Sequence, residues 1–119
     1  MRGSLMHLRH TRGVIGILVI ALVACADDKP ADVSLSVLAT RQAAYSGKQV
    51  DTRGVVRTFE TPRHYWIEDD DLNRVEVLPA ERIAPYLGER VRVGGRFHYA
   101  PSEGRRLEVE RIEVIDGTR

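Results

Sequence analysis

Apolar and β-branched residues recur at every second position from residue 49 onward, which is the period of a half-buried β-strand. In 49–60 these positions are Val50, Thr52, Val56 and Thr58. Gly54 interrupts the series, and an isolated glycine inside a strand pattern indicates a bulge or a close backbone approach. The pattern therefore predicts a long first strand that bends.

A β-hairpin with an acidic turn is predicted next along the chain. Its first arm, 64–69, contains Tyr65, Trp66 and Ile67, and its second arm, 74–78, alternates charged residues with valine and leucine. Aromatic and β-branched residues favour strands, whereas the sequence Asp-Asp-Asp-Leu-Asn that joins the arms is typical of a turn. The other strands are expected to pack around this hairpin.

Two further strands are predicted near the C-terminus. Residues 89–99 and 105–115 alternate between apolar and charged positions, and a segment of turn composition separates them. Within the last strand the apolar parity shifts between Val109 and Ile112. Such a shift implies a β-bulge near residues 110–111.

Two short helices are predicted outside the strands. Residues 33–46 bring Leu35 and Leu38 into helical spacing. Asp32 or Ser34 is available to cap the start of this helix, and Gly47 is available to close its end. Residues 79–87 begin with proline, but Pro85 limits the second helix to one or two turns.

The element order is three strands, a short helix and two strands, which is the order of an OB-fold barrel. An internal repeat supports this arrangement, because Gly47-x-x-Val50-x-x-x-Gly54 reappears as Gly88-x-x-Val91-x-x-x-Gly95. We expect an all-β domain with minor helix over 33–119. We expect this domain to form a small five-stranded OB-fold-like barrel with one short helix between strands 3 and 4 and an N-terminal helix. The alternative is a small open β-sandwich.

The motifs G-K-Q-V-D-T-R-G-V-V, H-Y-W-I-E-D and G-E-R-V-R-V-G-G-R-F lie within residues 47–115. This segment resembles the small exported OB-fold domains that are often described as nucleic-acid-binding-like or as uncharacterised. The shared positions are structural glycines and core residues. The resemblance therefore implies the fold and assigns no ligand.

The N-terminal segment has the layout of a secretory signal. Residues 1–12 are basic, and an uncharged apolar stretch over 14–24 follows them. The stretch ends in Leu22-Val23-Ala24-Cys25, which resembles the lipobox of bacterial lipoproteins, and Cys25 is the chain's only cysteine. The resemblance implies a signal peptide over 1–24, a lipidated Cys25 as the mature N-terminus, and a polar tether over 25–32. The alternatives are an uncleaved anchor helix, or a thiol that is free or paired between molecules.

Lipidation of Cys25 would place the domain in the bacterial cell envelope, attached to the periplasmic side of a membrane by acyl chains. Ala26, rather than an aspartate, follows the cysteine. In lipoproteins of this type that residue favours the outer membrane over the inner membrane. The membrane is thus the first expected partner of the protein.

Aromatic and histidine residues on alternating strand positions are the first candidates for a binding surface. Alternation places Tyr65 inward with the core, and it places His64, Trp66 and His98 on the outer face. Partly exposed tryptophan is often an interaction site, and OB barrels bind ligands on their middle strands. The alternative for the two histidines is a shared metal, but no third ligand is apparent.

Arginines form the second candidate surface if the first and fourth strands are neighbours. The residues are Arg53, Arg57, Arg90, Arg92 and Arg96. A stripe of guanidinium groups can meet phosphate or an anionic glycan. Glu108, Glu110 and Glu113 lie on the last strand, and the favoured interpretation is that they neutralise the stripe through cross-strand ion pairs.

The acidic turn has a calcium interpretation and a simpler one. Asp69, Asp71 and Asn73 have the spacing of the first ligands of an EF-hand loop. Arg74 then stands where glycine is needed and Ala80 where the bidentate glutamate belongs. A solvated hairpin turn is therefore favoured, and no metal site is predicted.

No catalytic signature and no cofactor motif occurs in the sequence. The arginines at residues 2, 9 and 12 precede the apolar stretch and every acidic residue follows it, so the chain beyond residue 25 is mildly acidic. We therefore expect a membrane-anchored, non-catalytic binding or interaction module with an envelope protein or polymer as partner. The alternative is an OB-fold domain that binds an oligonucleotide or an anionic glycan.

Overall fold

The computed structural model describes residues 29–115. The strands are β1 (Ala31–Asp32), β2 (Gln49–Glu60), β3 (Arg63–Glu68), β4 (Arg74–Leu78), β5 (Arg90–Ala100) and β6 (Gly104–Val114). The helices are α1 (Leu35–Thr40), α2 (Gln42–Tyr45) and α3 (Ala80–Ile83), and a 3₁₀ turn over Ala84–Tyr86 follows α3. The fold is mostly β, as the alternating pattern predicts.

One six-stranded sheet has the order β1-β2-β3-β4-β6-β5, and an additional pairing of β2 with β5 gives it a ring-like arrangement. The long strand β2 makes this possible because it has different neighbours along its length. Its residues from Gln49 to Val55 pair with β5, and its residues from Val55 to Glu60 pair with β3. On the opposite side of the ring, β4 and β6 pair in parallel over three residues each.

Gly54 lies at the change of neighbours in β2, where backbone and helix approach closely. A Cβ atom at this position would lie 2.9 Å from the backbone oxygen of Glu68 and 3.0 Å from Cδ1 of Leu35. The close approach predicted for this glycine is confirmed. It lets β3 and α1 pack against the same point of the long strand.

The N-terminal part of the described chain differs from the sequence-based expectation in two ways. Ala31 and Asp32 lie within the predicted tether, yet they form a strand parallel to β2. The prediction of one helix over 33–46 is wrong, because the helix breaks at Arg41, whose backbone is not helical (φ −123°, ψ 38°). The predicted capping by Ser34 is confirmed, since its Oγ accepts a hydrogen bond from the Val37 N–H at 3.2 Å.

The core fills the interior of the ring and extends to α1 and α3. Its buried apolar residues are Leu35, Leu38, Val50, Val56, Tyr65, Ile67, Val75, Val77, Ile83, Val91, Val93, Phe97, Leu107 and Val109. Leu35 and Leu38 are buried as the helical spacing predicts. The helix between β4 and β5 is short, as Pro85 predicts.

The β-bulge predicted in the last strand is confirmed. Gly94 pairs with Arg111 and Gly95 pairs with Val109, so Glu110 has no residue opposite it in β5. An extra residue in one strand reverses the alternation of its side chains. The bulge therefore keeps both Val109 and Ile112 turned toward the core.

Candidate functional site

Three aromatic rings lie in a row on the outer face of β2 and β3. We call Phe59, His64 and Trp66 the aromatic strip. Phe59 pairs directly with His64 across the two strands, and their ring centroids are 6.1 Å apart. The centroids of His64 and Trp66 are 5.2 Å apart. Phe59 is 55% exposed, whereas His64 and Trp66 are half-buried. The aromatic strip is therefore accessible to a partner at Phe59 and partly packed against the protein at His64 and Trp66.

Hydrogen bonds and one cation–π contact fix the orientation of these rings. Trp66 Nε1 donates to Glu68 Oε1 at 2.9 Å, and the Arg74 guanidinium carbon lies 4.6 Å from the centroid of the Trp66 ring. His64 Nδ1 lies 2.9 Å from the Pro62 carbonyl oxygen. Because a carbonyl only accepts, Nδ1 carries the proton in this bond, and Nε2 of the neutral ring is an acceptor.

Glu68 is the polar centre of this surface. Its side chain is 13% exposed, and it pairs with Arg57 at 3.4 Å and with Arg74 at 3.3 Å. Together with the bond from Trp66, the carboxylate has three partners on three strands. One carboxylate thus serves two guanidinium groups, so Glu68, Arg57 and Arg74 together keep a net positive charge beside the aromatic strip.

The arginine stripe is present in the structure, because β2 and β5 are neighbours and Arg53 pairs directly with Arg92. Each of the two has a carboxylate partner within the described residues. Arg53 lies 3.3 Å from Asp32, and Arg92 lies 3.4 Å from Asp51. Arg96 instead donates to the Gly47 carbonyl oxygen at 2.6 Å. Arg53 and Arg92 are therefore paired with carboxylates, whereas Arg90 and Arg96 have no ion pair among the described residues.

The glutamates expected to neutralise the stripe form no ion pair with its arginines among the described residues, so that part of the prediction is wrong. The strand register does place Glu108 opposite Arg96 and Glu113 opposite Arg92. No ion pair joins either couple in the described part of the chain. Glu108 lies 3.5 Å from His98 Nε2, and Glu110 lies 3.5 Å from Arg111. The register was predictable, whereas the choice of side-chain partner depended on Asp32, Asp51 and Glu68.

Asp51 lies between two guanidinium groups, since Arg111 approaches it to 2.8 Å in addition to Arg92. Burial raises the pKa of Asp51, but hydrogen bonds and positive charge from Arg111 and Arg92 outweigh burial and hold the pKa below its ordinary value. Gly94 makes room for this arrangement, because a Cβ there would collide with the side chains of Arg111 and Asp51.

His98 does not join the aromatic strip. The outer-face row runs from Trp66 through Glu76 on β4 and Arg106 on β6 to His98 on β5, so two strands separate the two rings. His98 instead lines a shallow depression of about 340 Å³ at the hairpin between β5 and β6, with Glu103, Arg106 and Glu108 around it. The prediction that His98 lies on the outer face is correct, but its expected grouping with His64 and Trp66 is wrong.

In the acidic turn, the Asp69 carboxylate is hydrogen-bonded within the turn. Asp69 Oδ1 accepts from the backbone N–H groups of Asp71 and Asn73, each at 2.9 Å, and Oδ2 accepts from Asn73 Nδ2 at 3.0 Å. Burial raises the pKa of Asp69, but these hydrogen bonds outweigh it and lower the pKa. Residues 29–115 contain no group of three or more His, Cys, Asp or Glu side chains arranged to hold a metal ion.

The sequence analysis missed Phe59, Glu68 and Arg74. The signal for Phe59 was present, because a two-residue turn at Thr61 and Pro62 necessarily brings Phe59 opposite His64. The sequence contained less indication that Glu68 would bind Trp66, Arg57 and Arg74. Its role arises from the lateral packing of three strands, which no single strand pattern records.

Comparison of this chain with known proteins gave no match. Neither the family models nor the curated proteins that were compared with it gave a match. Cys25 and the predicted signal peptide over 1–24 lie outside the described residues. Within 29–115, no helix has the length and hydrophobicity required to span a membrane.

Proposed function

We propose that this protein is a membrane-anchored OB-fold lipoprotein that acts as a non-catalytic interaction module of the bacterial cell envelope. The ring order β2-β3-β4-β6-β5 supports the OB-fold interpretation, as do the parallel pairing of β4 with β6 and the short helix between β4 and β5. The alternative of an open β-sandwich has less support, because β2 pairs with β5 and returns the sheet to its first long strand.

The lipobox over residues 22–25 supports the anchor and the envelope location. A lipidated Cys25 would attach the domain to the periplasmic side of the outer membrane, with only a few residues before β1. Stable attachment generally needs more than one acyl chain, and a lipoprotein N-terminus supplies them. The domain would then meet its partners at the membrane surface.

The aromatic strip is the single observation that carries the proposal of an interaction surface. Phe59 is 55% exposed although it is a large apolar residue on a strand, and His64 and Trp66 extend the same surface. Contacts with Glu68 and Arg74 hold Trp66 in place before any partner arrives. Side chains that are already ordered lose less entropy on binding, so they suit a recognition role.

A protein or a neutral polymer of the envelope fits this surface better than an oligonucleotide or an anionic glycan does. Binding to a polyanion draws its affinity from unpaired Lys and Arg side chains that replace counterions. On the faces described here, Arg53, Arg57 and Arg92 are paired with carboxylates. The oligonucleotide or anionic-glycan alternative would therefore rely on Arg90 and Arg96, which have no ion pair among residues 29–115, or on the opening of these pairs.

Cross-linking in intact cells tests the proposal. The full chain would carry a photoreactive amino acid in place of Phe59, with the same substitution at Leu87 as a control, because Leu87 is 50% exposed and lies outside the strip. We expect a defined envelope partner to be captured from position 59 and not from position 87. Equal capture from both positions, or none from either, would contradict the assignment of the aromatic strip.

A salt titration separates this proposal from the alternative. Binding of an oligonucleotide or an anionic glycan should weaken steeply with salt and on replacement of Arg92 and Arg96. Binding through the aromatic strip should be lost on Trp66→Ala and should change little with salt.

A further inference from the structure

We propose that the free edge of β6 pairs antiparallel with the same edge of a second copy of this chain. The edge exists because the parallel pairing of β4 with β6 ends at Leu78 and Glu108, while β6 continues to Val114. Beyond Glu108, β5 is the only strand of the described chain that pairs with β6. One side of 109–114 is therefore an open strand edge.

The hydrogen-bonding groups on this edge belong to Ile112 and Val114. The Ile115 N–H donates to the Arg90 carbonyl at 3.0 Å, so residue 115 faces β5. Backbone groups alternate between the two sides of an antiparallel strand, and Ile112 and Val114 therefore direct theirs away from β5. At the start of the edge, the Arg82 guanidinium donates to the carbonyls of Val109 at 3.2 Å and Glu110 at 3.5 Å. A carbonyl oxygen has two lone pairs, so the Glu110 carbonyl can still accept a bond from Val114 of a second copy.

A two-fold axis at Ile112 matches this geometry. Two copies paired about that residue would exchange N–H···O=C bonds between their Ile112 backbones. The same register places Arg111 of each copy opposite Glu113 of the other. Both side chains are on the exposed outer face, and Arg111 is 50% exposed. The charges of the edge are thus complementary to themselves.

This complementarity identifies a second copy, rather than an unrelated peptide, as the partner. Edge strands are commonly protected by charges of one sign, which repel an identical edge. The segment Arg111-Ile112-Glu113 has a positive and a negative side chain on either side of Ile112. In an antiparallel pair of copies, each arginine therefore lies opposite a glutamate of the other copy, and both pairs attract. The Arg111 guanidinium contacts Asp51 across β5, on the side of β6 away from the free edge, so it must turn from Asp51 to meet Glu113 of the second copy. Asp51 keeps Arg92 as a partner when Arg111 turns.

The edge is separate from the aromatic strip. The strip lies on β2 and β3, and β4 stands between β3 and β6 in the sheet order. Pairing through β6 therefore leaves Phe59, His64 and Trp66 available. The dimer and the interaction surface can be tested independently, and the failure of one does not decide the other.

Sedimentation analysis of the full chain in excess non-ionic detergent tests the proposal, with the association constant measured over a series of protein concentrations. Glu113→Lys would place lysine opposite Arg111 of the second copy, and we expect it to weaken dimerisation by about tenfold or more. Asp70→Lys is the control, because it makes the same charge change in the exposed hairpin turn between β3 and β4, away from the edge. It should leave the association constant unchanged.

A second variant tests the backbone pairing without a change of charge. Val114→Pro removes an N–H that points to the free edge, and proline is tolerated on edge strands. We expect it to reduce association while the thermal unfolding of the monomer is retained. A chain that stays monomeric at all concentrations overturns the proposal. A dimer that neither Glu113→Lys nor Val114→Pro weakens also overturns the proposal. A dimer that Asp70→Lys weakens as much as Glu113→Lys does, or a monomer whose β6 edge pairs with an unrelated peptide, overturns it as well.

Discussion

Gly54 of β2 lies directly opposite Val91 of β5, and the same relationship recurs between Gly95 of β5 and Val50 of β2. In both strands, therefore, the glycine of the repeat lies opposite the valine of the repeat in the other strand. The two copies of the sequence repeat are the two halves of one antiparallel pair, related by a local two-fold axis. This explains why the repeat has equal spacing in both strands.

The backbone hydrogen bonds obey the same symmetry. The Gly47 N–H donates to the Phe97 carbonyl at 2.7 Å, and the Gly88 N–H donates to the Val56 carbonyl at 3.0 Å. Gly47 and Gly88 have φ values of 89° and 88°, in the left-handed region that favours glycine. Each long strand is thus entered through an equivalent turn.

Gly54→Ala should destabilise the fold by roughly 1–3 kcal/mol, because the added methyl group would collide with the Glu68 backbone and with Leu35. Urea unfolding at neutral pH gives the free energy of unfolding for comparison with the wild type. Ser102→Ala, in the exposed turn between β5 and β6, is the control and should change it little. An unchanged urea midpoint for Gly54→Ala would mean that the strand and helix tolerate a wider separation.

The strands were largely predictable from the sequence because each buries one face. An alternating pattern over 49–60 defines β2 with its observed bounds, and the parity shift near Glu110 locates the bulge. The helix break at Arg41 was not predictable, because the residues on both sides of it favour helix. Long-range contacts require the break, since the chain after α2 must bring Gly47 to Phe97.

The candidate site was predictable only in part, for a related reason. Strand alternation put His64, Trp66 and the arginines on the outer face. It did not give the distances between strands around the ring, and these separate His98 from Trp66. Side-chain partners such as Glu68 depend on the same lateral packing.

Glu68→Ala should lower the free energy of unfolding by roughly 1–2 kcal/mol, because it leaves the Trp66 N–H and two guanidinium groups without their shared acceptor. Trp66 is the only tryptophan, so its fluorescence reports the same change directly. We expect the emission to shift to longer wavelength as the ring becomes more hydrated. Glu60→Ala, which removes an exposed ion pair with Arg63, should leave the spectrum unchanged.

Acid should unfold the protein in part through Asp51. Its pKa in the folded chain is lower than in the unfolded chain, so its contribution is complete above the unfolded pKa of about 3.9 and is lost as the pH falls through the folded pKa. Asp51→Asn should therefore reduce stability at neutral pH and flatten the decline on acidification. Urea midpoints measured between about pH 6 and pH 2 give this comparison.

Asp70→Asn is the matched control for that experiment, because Asp70 lies in the exposed hairpin turn and has no ion pair among the described residues. Its pH profile should follow that of the wild type. If Asp51→Asn shows the wild-type profile as well, the contacts with Arg92 and Arg111 contribute nothing measurable to stability.

Cys25→Ser should release the protein from the membrane fraction, because serine cannot receive the thioether-linked lipid. Cell fractionation and the intact mass of the native protein provide the measurement. The wild type should begin at an acylated Cys25, and Ser102→Cys in the exposed turn should not restore anchoring to Cys25→Ser. A Cys25→Ser protein with unchanged processing and membrane attachment would contradict the lipoprotein proposal.

The division of β2 between two neighbours has a consequence for the order in which the chain can fold. The first half of β2 pairs with β5, as in the pair of Val50 with Gly95, so among the described strands its partner other than β1 is β5, which follows β3, β4 and α3 in the chain. Contacts so distant in sequence form slowly because a long loop must close first. The ring of strands can therefore close only after β5 has been synthesised.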